Sequence, residues 1–235
     1  MTGASNSREI CPVPVAATGH HTAHRLPDTK WVHHTRSMST RGLAPDGTIP
    51  REGDLSRVDA AFAPVVRALR TQLPHLLGER LHSAYLYGSI PRGTAVPGTS
   101  DLDALAVLHS EPTEADRATI RTLETDLDTR FFQIDGAGIL LDSATSLTSP
   151  EESHNGGFFL ACLCTPLFGP DLAEHLPRYR PTTLLARQTN GDLEQTLPRW
   201  HQRLATAHTP EQRRRLCRGI ARRLVRTGFT LVMPT

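Results

Sequence analysis

The sequence predicts an α/β (α+β) protein: a small mixed-sheet domain followed by a helical C-terminal domain. Two observations carry this. Between residues 56 and 141, helical and extended apolar patterns follow in the order helix, strand, loop, strand, helix, strand, which suits a small sheet backed by helices. From Gly156 onward the periodicity is almost entirely helical. The expected division is a disordered segment over 1–50, the α/β domain over 51–150 and the helical domain over 151–235.

The first helix follows Ser56-Arg-Val-Asp59, which has capping-box form, with Phe62, Val65, Val66, Leu69 and Leu73 at helical spacing. Pro64 interrupts that pattern, so the helix is kinked there or starts later; Pro74 and Gly78 are expected to end it. His82–Tyr87 and Leu102–Leu108 read as strands, joined by a loop carrying Gly88, Pro91, Gly93, Pro97 and Gly98. Thr113-Glu-Ala-Asp116 caps a second helix with Ile120, Leu123 and Leu127 as its buried stripe. The run from Phe131 to Leu141 reads as the third strand.

Phe158–Leu163 then forms a short buried element, Gly169-Pro170-Asp171 a turn, and Asp192–Leu204 and Pro210–Met233 helices. In the last helix Leu216, Ile220, Leu224 and Phe229 make the apolar side. Arg213, Arg214, Arg215, Arg218, Arg222, Arg223 and Arg226 crowd the remainder, as a solvated face or as a surface facing phosphates. The apolar pattern still runs at Thr235, which fits a helical partner beyond it.

Residues 1–50 lack an apolar period, are rich in Gly, Pro, Ser, Thr and His, and hold only three acids, so disorder is expected. Five of the twelve histidines lie there (His20, His21, His24, His33, His34), but no cysteine or carboxylate pattern supports a metal tract. Met38 offers a second start.

Lys+Arg 26 against Asp+Glu 24 leaves +2, which gives no general reason to expect nucleic acid or an anionic membrane as partner. Four scattered cysteines (Cys11, Cys162, Cys164, Cys217) do not make a disulfide scaffold, so a reducing, cytoplasmic location is expected. The longest apolar run, Phe158 to Cys164, falls far short of the ~20 residues of a membrane span. Cys162-x-Cys164 has no second pair and reads as buried thiols; Trp200 and Tyr179 read as packing residues.

The chemistry lies in Tyr87-Gly88-Ser89-Ile-Pro-Arg92-Gly93, then six residues, then Ser100-Asp101-Leu102-Asp103. Gly88 after a strand lets backbone approach a ligand closely, and the Ser89 hydroxyl with neighbouring amides suits phosphate oxygens. Asp101 and Asp103, two apart on a strand, project to the same side, and paired carboxylates repel unless a cation joins them. Oxygen ligands completed by water and phosphate suit Mg2+. A phosphate-gripping loop beside such a pair equips a chain for phosphoryl or nucleotidyl transfer.

This pattern resembles the signature of the nucleotidyltransferase superfamily that includes DNA polymerase beta. It is closest to small bacterial nucleotidyltransferase-domain proteins and aminoglycoside adenylyltransferases. The resemblance covers roughly residues 55–142; residues 156–233 resemble that group's helical C-terminal domains loosely, as at Pro166–Leu172. It implies an NTP, with ATP the expected one, held by Gly88, Ser89, Arg92 and Ser100, and Mg2+, two ions, held by Asp101 and Asp103. The family's third carboxylate, a metal ligand or base on a following strand, is Asp135 or Asp142; the apolar flanks favour Asp135. The implied reaction moves a nucleoside monophosphate from the NTP to an acceptor hydroxyl and releases pyrophosphate. A small molecule is the expected acceptor, with RNA or protein as alternatives, and no membrane partner is expected. Two rivals stand beside it: a non-catalytic or antitoxin-like binding protein of the same fold, and an RNA-end-modifying enzyme using the Arg213–Arg226 face.

Overall fold

The computed structural model of the chain describes residues 42–191 and 193–228. Four strands form one mixed sheet in the order β3-β2-β1-β4: β1 (Leu81–Tyr87), β2 (Leu102–Leu108), β3 (Ala137–Ser143) and β4 (Thr165–Phe168). β1 runs antiparallel to β2 and to β4, while β2 and β3 are parallel. A parallel pair needs a crossover, and α3 (Glu114–Arg130) supplies it. The fold is the mixed α/β class that the sequence predicts, with helices flanking a four-stranded sheet.

The alternation of β2 decides what faces what. Leu102, Ala104, Ala106 and Leu108 enter the core made with α1 (Ala63–Leu77) and α3, alongside Leu69, Leu73, Ile120, Leu123 and Leu127. Leu105 and Val107 join Tyr85, Leu147, Leu160 and Cys164 on the other face. A strand covered on both sides shows little polar alternation. Asp103 falls on the face of Leu105 and is the polar exception in the strand.

The first helix takes the later of the two starts. Asp54, rather than Ser56, caps a 3-10 turn at Leu55–Arg57 by accepting from the Ser56 N–H at 2.7 Å. α1 begins at Ala63 with Pro64 in its first turn, where no N–H is needed. It continues past Pro74 and ends at Gly78, whose φ of +54° breaks the helix and whose N–H bonds the Pro74 carbonyl.

α3 follows its expected cap. Thr113 and Asp116 exchange hydrogen bonds, and Ile120, Leu123 and Leu127 are buried. Arg80 locks the same carboxylate from β1's side, Nε and Nη2 at 2.8 and 2.7 Å, and its hydrogen bonds hold Asp116 down to about 2.

The third strand is displaced from its expected span of Phe131–Leu141. It starts at Ala137, level with Leu102, because residues 131–136 carry the chain from the end of α3 back to the sheet. Phe132, read as a strand residue, is 91% exposed on that connection. β4 was not expected at all. It pairs with β1 from inside the region assigned to the helical domain, so the sheet draws strands from both sides of residue 150.

Order also begins upstream of residue 50. The Ile49 N–H donates to the Tyr179 carbonyl at 2.8 Å, Arg178 pairs with Asp46 at 2.8 Å, and Thr48 is buried. These contacts connect to residues far along the chain, so composition could not reveal them. Residues 1–41 of the segment expected to be disordered, with its five histidines, Cys11 and Met38, lie outside the described residues.

The C-terminal helices are α5 (Thr183–Asn190), α6 (Leu193–Thr206) and α7 (Pro210–Gly228), with two four-residue helices, α2 (Ser89–Arg92) and α4 (Ala144–Leu147), earlier in the chain. On α7 Leu216 is buried but Leu224 is 48% exposed; Phe229 and the expected helix through Met233 lie outside the described residues. Among the described residues no helix is long and apolar enough to cross a membrane.

Candidate active site

β1 ends at Tyr87, and the chain turns at once through Gly88, with φ +80° and ψ −149°, into α2. An L side chain rarely adopts that φ. A Cβ there would also collide with Oδ2 of Asp103, so two independent constraints call for glycine. The antiparallel register explains the collision, since Tyr87 lies opposite Asp103. Arg92, at the end of α2, folds back to donate from Nε to the Gly88 carbonyl at 2.8 Å. Its Nη1 lies 3.4 Å from Oε1 of Glu52. The loop is thereby fixed from inside by sterics and from outside by a charged hydrogen bond.

Asp103 is half-buried and Asp101, immediately before β2, is exposed. Burial and the neighbouring charge of Asp101 push Asp103 up to about 6, and the field of Arg92 opposes them only in part. Burial and the nearby Asp103 charge likewise raise Tyr87. The site thus concentrates negative charge where water is partly excluded, which a cation would relieve.

The remaining expected residues fall in different places. Ser100 uses its hydroxyl to accept from the Val96 N–H at 2.9 Å, closing the loop before β2. Asp135 lies in the connection before β3, exposed, not on a strand; its N–H donates to the Ser100 carbonyl at 3.1 Å, beside Asp101. Asp142 is on β3 but pairs with Val107, four residues from Asp103 along β2, and accepts from the Ser143 N–H. The position that faces Asp103 on β3 is Gly138. Neither candidate therefore faces Asp103 across the sheet, and Asp135 is the nearer to the pair through its backbone.

Two residues near the site were not anticipated. Glu52 lies in a segment without periodicity, and Phe159 packs edge-on against Tyr87 at 5.0 Å, an encounter only the fold creates. Cys162 and Cys164 are buried free thiols, and burial raises both, Cys162 to about 11. Tyr179 packs against Phe158 and donates its hydroxyl to the Ser153 carbonyl at 2.5 Å.

Among the described residues no group of three or more His, Cys, Asp or Glu side chains gathers as a metal site. The donor set still fits Mg2+. Two carboxylates lie close enough that the Asp101 charge, after burial, helps raise Asp103, and Gly88 leaves room for the Asp103 carboxylate. Such a cation would complete its shell with water and phosphate oxygens. Fold and site together define a class: a mixed-sheet α/β protein with an Asp-x-Asp pair whose second carboxylate, Asp103, lies against a glycine turn. No protein-family profile matches the chain, and no curated protein matches it in sequence.

Proposed function

We propose that the chain is a Mg2+-dependent nucleotidyltransferase that moves a nucleoside monophosphate, from ATP or another NTP, to an acceptor hydroxyl. The observation that carries this is the packing of Gly88 beneath the Asp103 carboxylate, with Asp101 two residues away. That packing sets the loop suited to phosphate against the pair suited to a cation. In this reading Asp101 and Asp103 hold Mg2+, and Gly88, Ser89 and Arg92 hold the triphosphate. Bound there, the cation would neutralise phosphate charge and polarise the reacting oxygens. The acceptor oxygen bonds to the α-phosphorus as the bond to the bridging oxygen breaks, and pyrophosphate leaves. Asp135 takes the hydroxyl proton. The few, scattered cysteines support a cytoplasmic location.

Gly138 favours a second reading. Where a carboxylate on the neighbouring strand would complete the site, the chain has no side chain. A protein that binds Mg–NTP without transferring, as a partner-binding member of the same fold, would need no third acid. Incubation with each labelled NTP, Mg2+ and a panel of small-molecule, RNA and protein acceptors, with products read by mass spectrometry, separates the two. Transfer supports the enzyme; Mg–NTP binding without turnover on any acceptor supports the binding protein.

A further inference from the structure

The carboxylate pair occupies one end of the β1–β2 ladder. Tyr87 lies opposite Asp103 there, whereas Leu81 and Leu108 close the other end, roughly 17–20 Å away. At that far end two histidines come together. His82 and His109 pack edge to face, with ring centroids 4.9 Å apart and ring planes at 66°. We infer that His82 and His109 form a binding site for a divalent transition-metal ion such as Zn2+. This site is separate from the carboxylate pair and does not depend on the nucleotidyltransferase reading.

Strand register is the first support. Leu81 pairs with Leu108 and Ser83 with Val107, so His82 is the extra residue of a β-bulge. A bulge takes one residue out of the ladder and re-aims its side chain. His109 directly follows β2, and its N–H donates to the Arg80 carbonyl at 2.9 Å. The backbone of both strands thus brings the two rings together.

A hydrogen-bond relay is the second. The Tyr85 hydroxyl donates to the Pro170 carbonyl at 3.3 Å and accepts from the Leu172 N–H at 2.9 Å. It also accepts from the Ser83 hydroxyl at 3.5 Å, which uses the one proton that hydroxyl has. Ser83 Oγ, 2.9 Å from Nδ1 of His82, is therefore the acceptor in that contact, and Nδ1 carries the proton. The ring's lone pair is left on Nε2. Ser83 and Tyr85 are fully buried, which fixes the relay in place. Metal-binding histidines are held in this way, with the second ring nitrogen donating to a fixed acceptor.

Spacing is the third. An imidazole nitrogen lies ~2.0–2.1 Å from Zn2+ and the ring centroid about 1.1 Å beyond it, so two rings on one tetrahedral ion have centroids about 5 Å apart. The observed 4.9 Å meets that spacing. His109 is exposed, and among the described residues no hydrogen bond engages its ring, so it can turn a nitrogen to the ion. No third His, Cys, Asp or Glu gathers there among the described residues, so water fills the remaining positions. Imidazole donors suit Zn2+, Cu2+ or Ni2+, whereas Mg2+ takes oxygen. Bound there, the ion would staple the bulged end of β1 to the end of β2.

The test uses the full chain and its His109→Ala, His82→Ala and Ser83→Ala variants. Imidazole NMR, with free Zn2+ fixed by a metal buffer, reads each histidine separately from the others in the chain. Zn2+ is expected to move the His82 and His109 resonances together along one saturation curve, with excess Mg2+ unable to displace it. His109→Ala, a change at an exposed ring, should abolish the Zn2+ shift of His82, and His82→Ala that of His109. Ser83→Ala should weaken Zn2+ at least ~10-fold and remove the Nδ1–H tautomer signature of His82, which a merely structural role would leave. Zn2+ at ten times its Kd should raise the parent's Tm by about 3–5 °C and leave that of His109→Ala unmoved. Resonances of His82 and His109 that stay still, or saturate at different concentrations, overturn the inference. So does an exposed His75 that saturates with them, the mark of non-specific binding. Asp103→Asn should leave every Zn2+ readout unchanged even if it shows the Mg2+ assignment to be wrong. Loss of Zn2+ binding in that variant would place the ion at the carboxylate pair and also overturn the inference.

Discussion

Gly88 lies against the carboxylate of Asp103, so closely that any side chain at position 88 would displace it. The contact joins the end of β1 to the start of β2 and couples the geometry of a backbone turn to the position of a charged oxygen. The position of the Asp103 carboxylate therefore depends on an atom that is absent, the Cβ of residue 88.

Gly88→Ala is accordingly expected to act twice. The φ of +80° strains any other residue, and the new methyl group pushes Asp103 aside. A stability loss of about 1–3 kcal/mol is expected by denaturant titration. Calorimetry should show Mg–ATP affinity falling at the same time. A destabilised variant with unchanged Mg–ATP affinity would mean that the Asp103 position does not matter for binding.

Asp101→Asn and Asp103→Asn should each abolish transfer while the chain stays folded. The pH dependence of apo stability follows from Asp103, which is pushed up from 3.8 to about 6. Between about 4 and 6 the folded chain keeps a proton that the unfolded chain releases, so stability falls as pH rises through that window. Above about 6, in chelator, Asp103→Asn should be more stable than the parent, by at most about 3 kcal/mol. Mg–ATP should reverse the order, because only the parent gains from ligand linkage. Thermal melts from pH 4 to 8, with chelator or with Mg–ATP, follow both effects; a parent insensitive to Mg–ATP would remove the metal-site assignment.

Asp135→Asn should bind Mg–ATP nearly as well as the parent and transfer ~100-fold more slowly, the lower end of what a positioned acid–base group supplies. Asp142→Asn should change little, since Asp142 lies beside Val107 rather than Asp103. Gly138→Asp sharpens the comparison, because a Cβ there meets nothing within 4 Å. If the parent binds Mg–ATP without turnover and Gly138→Asp transfers, the missing carboxylate was the limit.

At the N-terminus, a chain starting at Met38 should keep the parent's melting temperature, since it retains Asp46, Thr48 and Ile49. A chain starting at Arg51 loses the Asp46–Arg178 pair and the Ile49 hydrogen bond to Tyr179, and should melt several degrees lower. Equal melting of the two would show that residues 42–50 add nothing to stability.

Much of this architecture was legible along the chain. The stripe Ile120, Leu123, Leu127 and the Thr113 cap identified α3, and Leu102–Leu108 identified β2, because helix and strand periods and capping chemistry are local. The same locality exposed Gly88 and the Asp101–Asp103 pair as a unit, since one short loop and one strand start carry them. What failed was whatever depended on a distant partner. β3 was placed six residues early because its start is set by alignment with Leu102, not by the apolar run from Phe131. β4 went unseen because four residues carry no period, and its strand character comes from pairing with β1.

By itself, then, the sequence determined the class of fold, the glycine turn and the two carboxylates. Only the tertiary structure decided that Gly88 lies under Asp103 and that Gly138, rather than Asp135 or Asp142, faces Asp103 on β3. The division follows from range. Propensity, period and capping act within a few residues and can be read in order, whereas strand register and helix docking are set by burying apolar faces far apart in the chain.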